Sequence, residues 1–175
     1  MDLRYPIGPF VWNDAATDED RRRRISEIER APAALRAAVT GLSPEQLDTP
    51  YRPGGWTLRQ VAHHVPESHM NAYIRFKLAL TEDQPTIKPY NENLWAATAD
   101  VRATPIETSL ALLDALHQRW VILLRALEPS DFARTFTHPE YGKTFPLDWA
   151  LAMYAWHGAH HAAHITALRQ RRKWK

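Results

Sequence analysis

The sequence predicts an all-α protein: four main helices packed as a bundle in a single domain spanning residues 1–175, with residues 1–16 as an extended N-terminal segment. Three observations predict it. Four segments repeat apolar residues in helical phase between capping and breaking residues, strand-like alternation is absent, and no element has anything but another helix to bury its stripe against. A chain of 175 residues buries roughly two thirds of its unfolded surface, so it needs no disulfide or structural metal to stay folded.

The first helix starts after Thr17, an N-cap before the acidic turn Asp18, Glu19 and Asp20, and runs to about Thr40 with Ile25, Ile28, Leu35 and Val39 in phase. Pro32 removes a backbone N–H inside it and should kink it, and Gly41 ends it. Ser43-Pro44 opens a turn, and Thr49 to Gly55 is loop by composition. Thr57 and Gln60 form a capping box for the second helix, which carries Leu58, Val61, Val65, Ala72, Phe76 and Ala79 and ends near Leu80. Thr81 to Ala103 has no periodicity and reads as a crossover or functional loop, which argues against plain up-down-up-down order. Thr104, Pro105 and Glu107 supply an N-cap, a first-turn proline and a capping-box acid for the third helix, striped by Leu110, Leu113, Leu116, Trp120, Leu124 and Leu127 and ended by Pro129. Ser130 to Phe145 reads as irregular. Pro146 begins the fourth helix, with Trp149, Met153, Trp156, His160, His164 and Leu168 on one side and the basic tail Arg169 to Lys175 at its end.

Composition excludes several chemistries. There is no cysteine, hence no disulfide scaffold, thiolate nucleophile or Cys-based zinc or iron–sulfur site, and metal chemistry would have to use His, Asp and Glu. A formal net charge of +2 marks no nucleic-acid footprint. The first twelve residues lack a signal-peptide core and no run of 18 apolar residues occurs, so a cytoplasmic protein without a membrane or nucleic-acid partner is expected.

Seven of the nine histidines fall in two stretches, His63 to His69 and His157 to His164. With His164 at zero and about 100° per residue, His160 falls near about −40°, His157 near about 20° and His161 near about 60°. One histidine on such a face is usually a satisfied core residue; four together, with i,i+4 pairs able to reach one ion, point to metal binding. His157 with His161 and His160 with His164 both have that spacing; the second pair is in step with Met153 and Trp156 and is modestly preferred. A catalytic zinc wants three protein ligands and an open position, so a third should come from another helix. Phase alone does not separate His64 from His69.

Arg4-Tyr5-Pro6-Ile7-Gly8, Leu47 to Thr57 with its Gly54-Gly55-Trp56-Thr57, His63-His64, Ser68 to Leu78 and Trp156 to His164 together resemble the YfiT branch of the DinB-like superfamily over nearly the whole chain. The resemblance implies a four-helix bundle of up-down-down-up order and a divalent ion, zinc or nickel, on His64, His160 and His164. It also implies a homodimer and a metal-dependent hydrolase acting on a small-molecule substrate. The alternatives are a thiol S-transferase using bacillithiol or mycothiol, and a non-catalytic metal-binding stress protein. A three-His zinc with an open position lowers the pKa of a bound water towards ~7, and a coordinated thiol loses its proton outright. The chain departs from its relatives at Pro66, which deletes a helical hydrogen bond beside His64 and could shift or open the site.

Other residues carry weaker signals. Glu67, a turn beyond His64, is a candidate general base or outer partner of the metal, against a solvated carboxylate. Asn71, Tyr73 and Arg75 could meet substrate, but read more simply as packing residues. His138-Pro139 reads as a turn, Arg21 to Arg24 as a solvated face, and Trp56 as a core residue or the floor of a metal pocket.

Overall fold

Thr17 sets the first helix, α1 (Asp18–Val39): its hydroxyl accepts from the Asp20 N–H, and the Asp20 carboxylate accepts from the Thr17 N–H at 3.1 Å. The pair satisfies donors that a helix start leaves open. The computed structural model describes residues 2–14 and 16–174; Met1 and Ala15 of the expected N-terminal segment and Lys175 of the basic tail lie outside the described residues. α1 continues through Pro32 to Thr40, followed by Gly41 at φ +78°. Ser43 caps a short helix, α2 (Pro44–Leu47). The box of Thr57 and Gln60 starts α3 (Leu58–Thr81), which also runs unbroken across its proline, Pro66.

The connection after α3, expected as a crossover or functional loop without periodicity, contains short helices. It holds α4 (Glu92–Trp95) and α5 (Ala99–Ala103), too short to show a hydrophobic period. Thr104 does not cap the next helix: its N–H bonds back to Asp100 O at 2.8 Å and closes α5. α6 (Ile106–Arg125) begins after Pro105 without a side-chain cap, and Glu107 instead pairs with Arg36 at 2.9 Å. The stretch expected to be irregular contains an antiparallel hairpin, β1 (Thr135–His138) and β2 (Lys143–Pro146), turned through Gly142 at φ +57°. α7 (Leu147–Arg172) closes the chain. Among the described residues, no helix is long and apolar enough to cross a membrane.

Side-chain pairings fix the helix directions. Arg21 meets Asp148 at the start of α1 and α7, and Arg169 reaches the carbonyls of Ala38 and Thr40 at their ends, so these helices are parallel. His63 with Ser109 and Phe76 with Trp120 make α3 and α6 parallel as well. Arg36 with Asp114 and Arg125 with Glu29 make α1 and α6 antiparallel, and His64 near His157 with Arg75 near Tyr154 does the same for α3 and α7. The order is therefore up-down-down-up, and the segment from Thr81 to Ala103 returns the chain so that α6 descends beside α3.

The core is in two parts. Ile28, Phe76, Trp120, Leu124, Phe136 and Leu151 lie in one cluster; Leu35, Leu58, Val61, Leu110, Leu113 and Ile165 lie in the other. Between them, each inward-facing helix turns polar: His69 on α3, His117 on α6 and His161 on α7 are all buried.

Candidate metal centre

Three elements bring the histidines together. On α3, His64 is held four residues before the buried Ser68 and faces α7. On α7, the buried residues include Leu147, Leu151, Tyr154, Gly158, His160, His161, His164 and Ile165, and among them His161, with the half-buried His157, meets His64 of α3. The third element is the loop that precedes α3: Tyr51 N–H bonds to Trp56 O at 3.0 Å, Pro50 bridges Thr57, and Gly54 takes φ +67°. That closure lays Trp56 against His64, ring centroids 4.7 Å apart, while its indole N–H donates to Asn93 Oδ1 at 3.0 Å.

His64 Nε2 and His161 Nε2 lie 3.3 and 3.2 Å from His157 Nε2, and the three ligand atoms all lie within 4.8 Å of one another. A neutral imidazole nitrogen offers either one N–H or one lone pair. Three such nitrogens facing one point satisfy each other poorly, because two hydrogens would have to share a single lone pair. A cation between them accepts all three lone pairs, so the donor set fits a metal. Neutral nitrogen donors suit zinc or nickel better than calcium or magnesium. Burial pushes His64 down to about 4 and His157 and His161 well below the usual histidine range, which keeps the donors deprotonated at neutral pH.

His160 and His164, the expected partners of His64, are not brought to it as a set of three. His160 stacks on Trp156 at 4.2 Å, and His164 stacks on Tyr51 at 4.0 Å and donates from Nε2 to Arg4 O at 3.1 Å. A nitrogen that carries a proton for a carbonyl has no lone pair for an ion. The reason lies in helical phase. Met153 and Trp156, which favoured this pair, are only half-buried, and the Trp156 indole donates to Gly8 O of the N-terminal segment at 3.2 Å. Trp156 thus marks a side of α7 that the N-terminal segment covers.

Both pairs nonetheless open on one cleft of about 460 Å³, walled by Arg4, Tyr5, Tyr51, Arg52, Trp56 and Glu92 among others. Glu92 is the one carboxylate among its lining residues. It was missed because it lies in the aperiodic connection. Glu67 does not line the cleft; one of its oxygens is buried without a partner, and burial raises its carboxyl above the ordinary range. Asn71 bonds to the Glu67 carbonyl at 2.9 Å, and Arg75 to the Tyr154 hydroxyl at 2.9 Å. His138 is buried at the end of β1, 4.4 Å from the Tyr141 ring. The arginine run is partly ion-paired, Arg21 with Asp18 and Asp148 and Arg23 with Asp20.

Comparison with known proteins gives the chain a family and a matching fold. Residues 27–165 match the DinB superfamily. A Bacillus mycoides protein provisionally named a metal-dependent hydrolase is 57% identical over 99% of both chains, and a Bacillus cereus protein with the same provisional name is equally similar. The solved structure of YfiT from Bacillus subtilis, described as a probable metal-dependent hydrolase with an unusual four-helix bundle topology, superposes over 100% of both chains. Its TM-score is 0.97 at 47% identity. A second four-helix bundle protein, TT2238, covers 84% of this chain and 98% of its own, with a TM-score of 0.59 at 25% identity.

Proposed function

The chain belongs to the DinB superfamily, and from that premise we propose that it is a metal-dependent hydrolase of a small molecule, its divalent ion held by His64, His157 and His161. The observation that carries this reading is the convergence of three neutral imidazole nitrogens, within 4.8 Å of one another, at the base of an open cleft. A zinc or nickel ion held there supplies Lewis acidity, which lowers the pKa of a coordinated water or thiol toward neutrality.

The remaining residues supply binding and proton transfer. Tyr51 and Trp56 give the cleft aromatic walls, and Arg4 and Arg52 give it cationic ones. As the one carboxylate lining the cleft, Glu92 is the group to which we assign proton transfer between nucleophile and leaving group. His160 and His164 form the wall beside the N-terminal segment, and the Arg4 carbonyl holds the His164 ring in place.

The test is elemental analysis of tag-free protein and of five variants. His64→Ala, His157→Ala and His161→Ala should each lose most of the bound zinc or nickel, while His160→Ala and His164→Ala retain it. Loss confined to His64→Ala, His160→Ala and His164→Ala would transfer the site to the other pair, and a metal-free wild type after reconstitution would sink the enzyme reading. Ester and amide turnover without added thiol marks a hydrolase. Turnover of an electrophilic haloarene only when bacillithiol or another low-molecular-weight thiol is supplied marks a transferase instead, because the chain has no cysteine of its own.

A further inference from the structure

A proline in α1 leads to the metal centre through hydrogen bonds alone. In an α-helix the carbonyl of residue 28 accepts from the N–H of residue 32. Residue 32 is Pro32, which has no N–H, so the Ile28 carbonyl lacks its helical donor inside the bundle. His117 supplies one: its Nδ1 lies 2.6 Å from Ile28 O. Beyond it, His117 Nε2 lies 2.8 Å from His69 Nδ1, and His69 Nε2 lies 3.1 Å from His157 Nδ1.

The chain has a forced direction. A carbonyl oxygen only accepts, so His117 Nδ1 carries the proton, and in a neutral imidazole its Nε2 is then a bare acceptor. His69 must therefore donate from Nδ1, which leaves its own Nε2 bare. His157 must in turn donate from Nδ1, and its Nε2, the atom facing His64 and His161, is left as a lone pair. His69 and His117 are buried beside Trp120 and Tyr154, an environment that holds both rings neutral. Gly158 makes the room, since a Cβ there would stand 3.4 Å from His69 Cε1 and 2.9 Å from Ala31 Cβ.

We propose that His117 and His69 are positioning residues which, starting from the carbonyl freed by Pro32, fix the tautomer of His157 so that its Nε2 faces the ion as a lone pair. The inference rests on the metal-centre reading given above. Neither residue touches the cleft or the ion. Each acts through the next ring, as the outer partners of metal-bound histidines do when they accept the far N–H.

The direct test needs no metal. Long-range ¹H–¹⁵N correlation spectra of metal-free, ¹⁵N-histidine-labelled protein should show His117, His69 and His157 protonated at Nδ1 and bare at Nε2. This is the minor tautomer of free histidine, so finding it three times would show that the hydrogen-bonded chain sets the protons, and zinc affinities show whether the metal centre uses them. A proton on Nε2 of any of the three overturns the proposal. The second arm measures zinc affinity by chelator competition. His69→Leu, which removes the acceptor for His157, should weaken zinc binding by about 10–100-fold. His69→Gln, whose amide can accept from His157 and donate to His117, should restore most of it. Equal affinity in His69→Leu and wild type also overturns the proposal. If the tautomers are as expected but wild-type protein takes up no zinc, the metal reading fails; reversed tautomers in a zinc-binding protein leave that reading intact and remove the relay.

Discussion

Two carboxylates, Glu67 and Glu92, differ in their surroundings, and the difference underlies the proton-transfer role proposed for Glu92. Glu67 follows His64 by one turn but sits outside the cleft, half-buried, with one oxygen unpartnered. Glu92 lies far off in sequence and is exposed on the cleft wall. A general base must reach the proton it takes, so geometry ranks before proximity in sequence. Glu92→Gln should therefore lower kcat by about 100-fold or more, with KM and metal content nearly unchanged. Glu67→Gln should leave kcat within a few-fold. Steady-state kinetics on both variants, with metal quantified in each, checks the assignment; a larger loss in Glu67→Gln would reverse it. Sequence alone found the histidine-rich stretches but not Glu92, because a lone acid in an aperiodic segment has no pattern to mark it.

The contact between α1 and α7 carries both packing and the buried histidine chain. Gly158 faces Ala31 between these parallel helices, so that a methyl at 158 would stand 2.9 Å from the Ala31 methyl. Gly158→Ala gains about 1 kcal/mol of helix propensity and incurs an overpacking cost of about 1–3 kcal/mol. The second effect should win, giving a net loss of about 1 kcal/mol by chemical denaturation. Ala31→Gly in the same chain removes the clashing methyl, so the double variant should be more stable than the sum of the single changes predicts by at least about 1 kcal/mol. An additive cycle would show that the helices simply move apart. The same helix shows where sequence reading stops. The four long helices were legible because caps and Leu/Ile/Val stripes agree in α1, α3 and the centre of α6. The buried face of α7 mixes four alanines and a glycine with three histidines, a weak apolar signal against which Trp156 and Met153 set the preferred pair in the sequence, whereas the geometry brings His157 and His161 to His64. α4, α5 and the hairpin, at four or five residues each, are shorter than the window in which a period can be recognised.

Across the whole bundle, the apolar interior is divided by a layer of imidazoles, and that layer should govern acid stability. Burial pushes His117 and His64 down to about 4 from a usual value of 6.5, and holds His69 well below its usual range as well. In metal-free protein between about pH 6.5 and 4, the unfolded chain binds protons that the folded chain refuses. Stability therefore rises with pH in this window, is intact above about 6.5 and is lost as pH falls toward 4. Each such histidine contributes a slope of about 1.4 kcal/mol per pH unit, so two or three titrating together can remove much of a typical domain's 5–15 kcal/mol. Thermal melts of metal-free protein from pH 8 to 4 should show a flat Tm above about 7 and a steep fall below about 6. Replacing His117 with Leu removes one titrating group, as well as the donor to Ile28 O. That variant should start less stable at pH 7.5 yet lose less on acidification, since its slope contains one proton fewer. Zinc, bound by the deprotonated rings, should raise Tm most at neutral pH and progressively less below about 6, where protons compete for the same nitrogens. A Tm that falls equally in wild type and His117→Leu would remove His117 from the account of the acid transition; carboxylates such as Asp20, held at about 2 by its bonds to Thr17, lose their contribution only below about pH 4, outside this window.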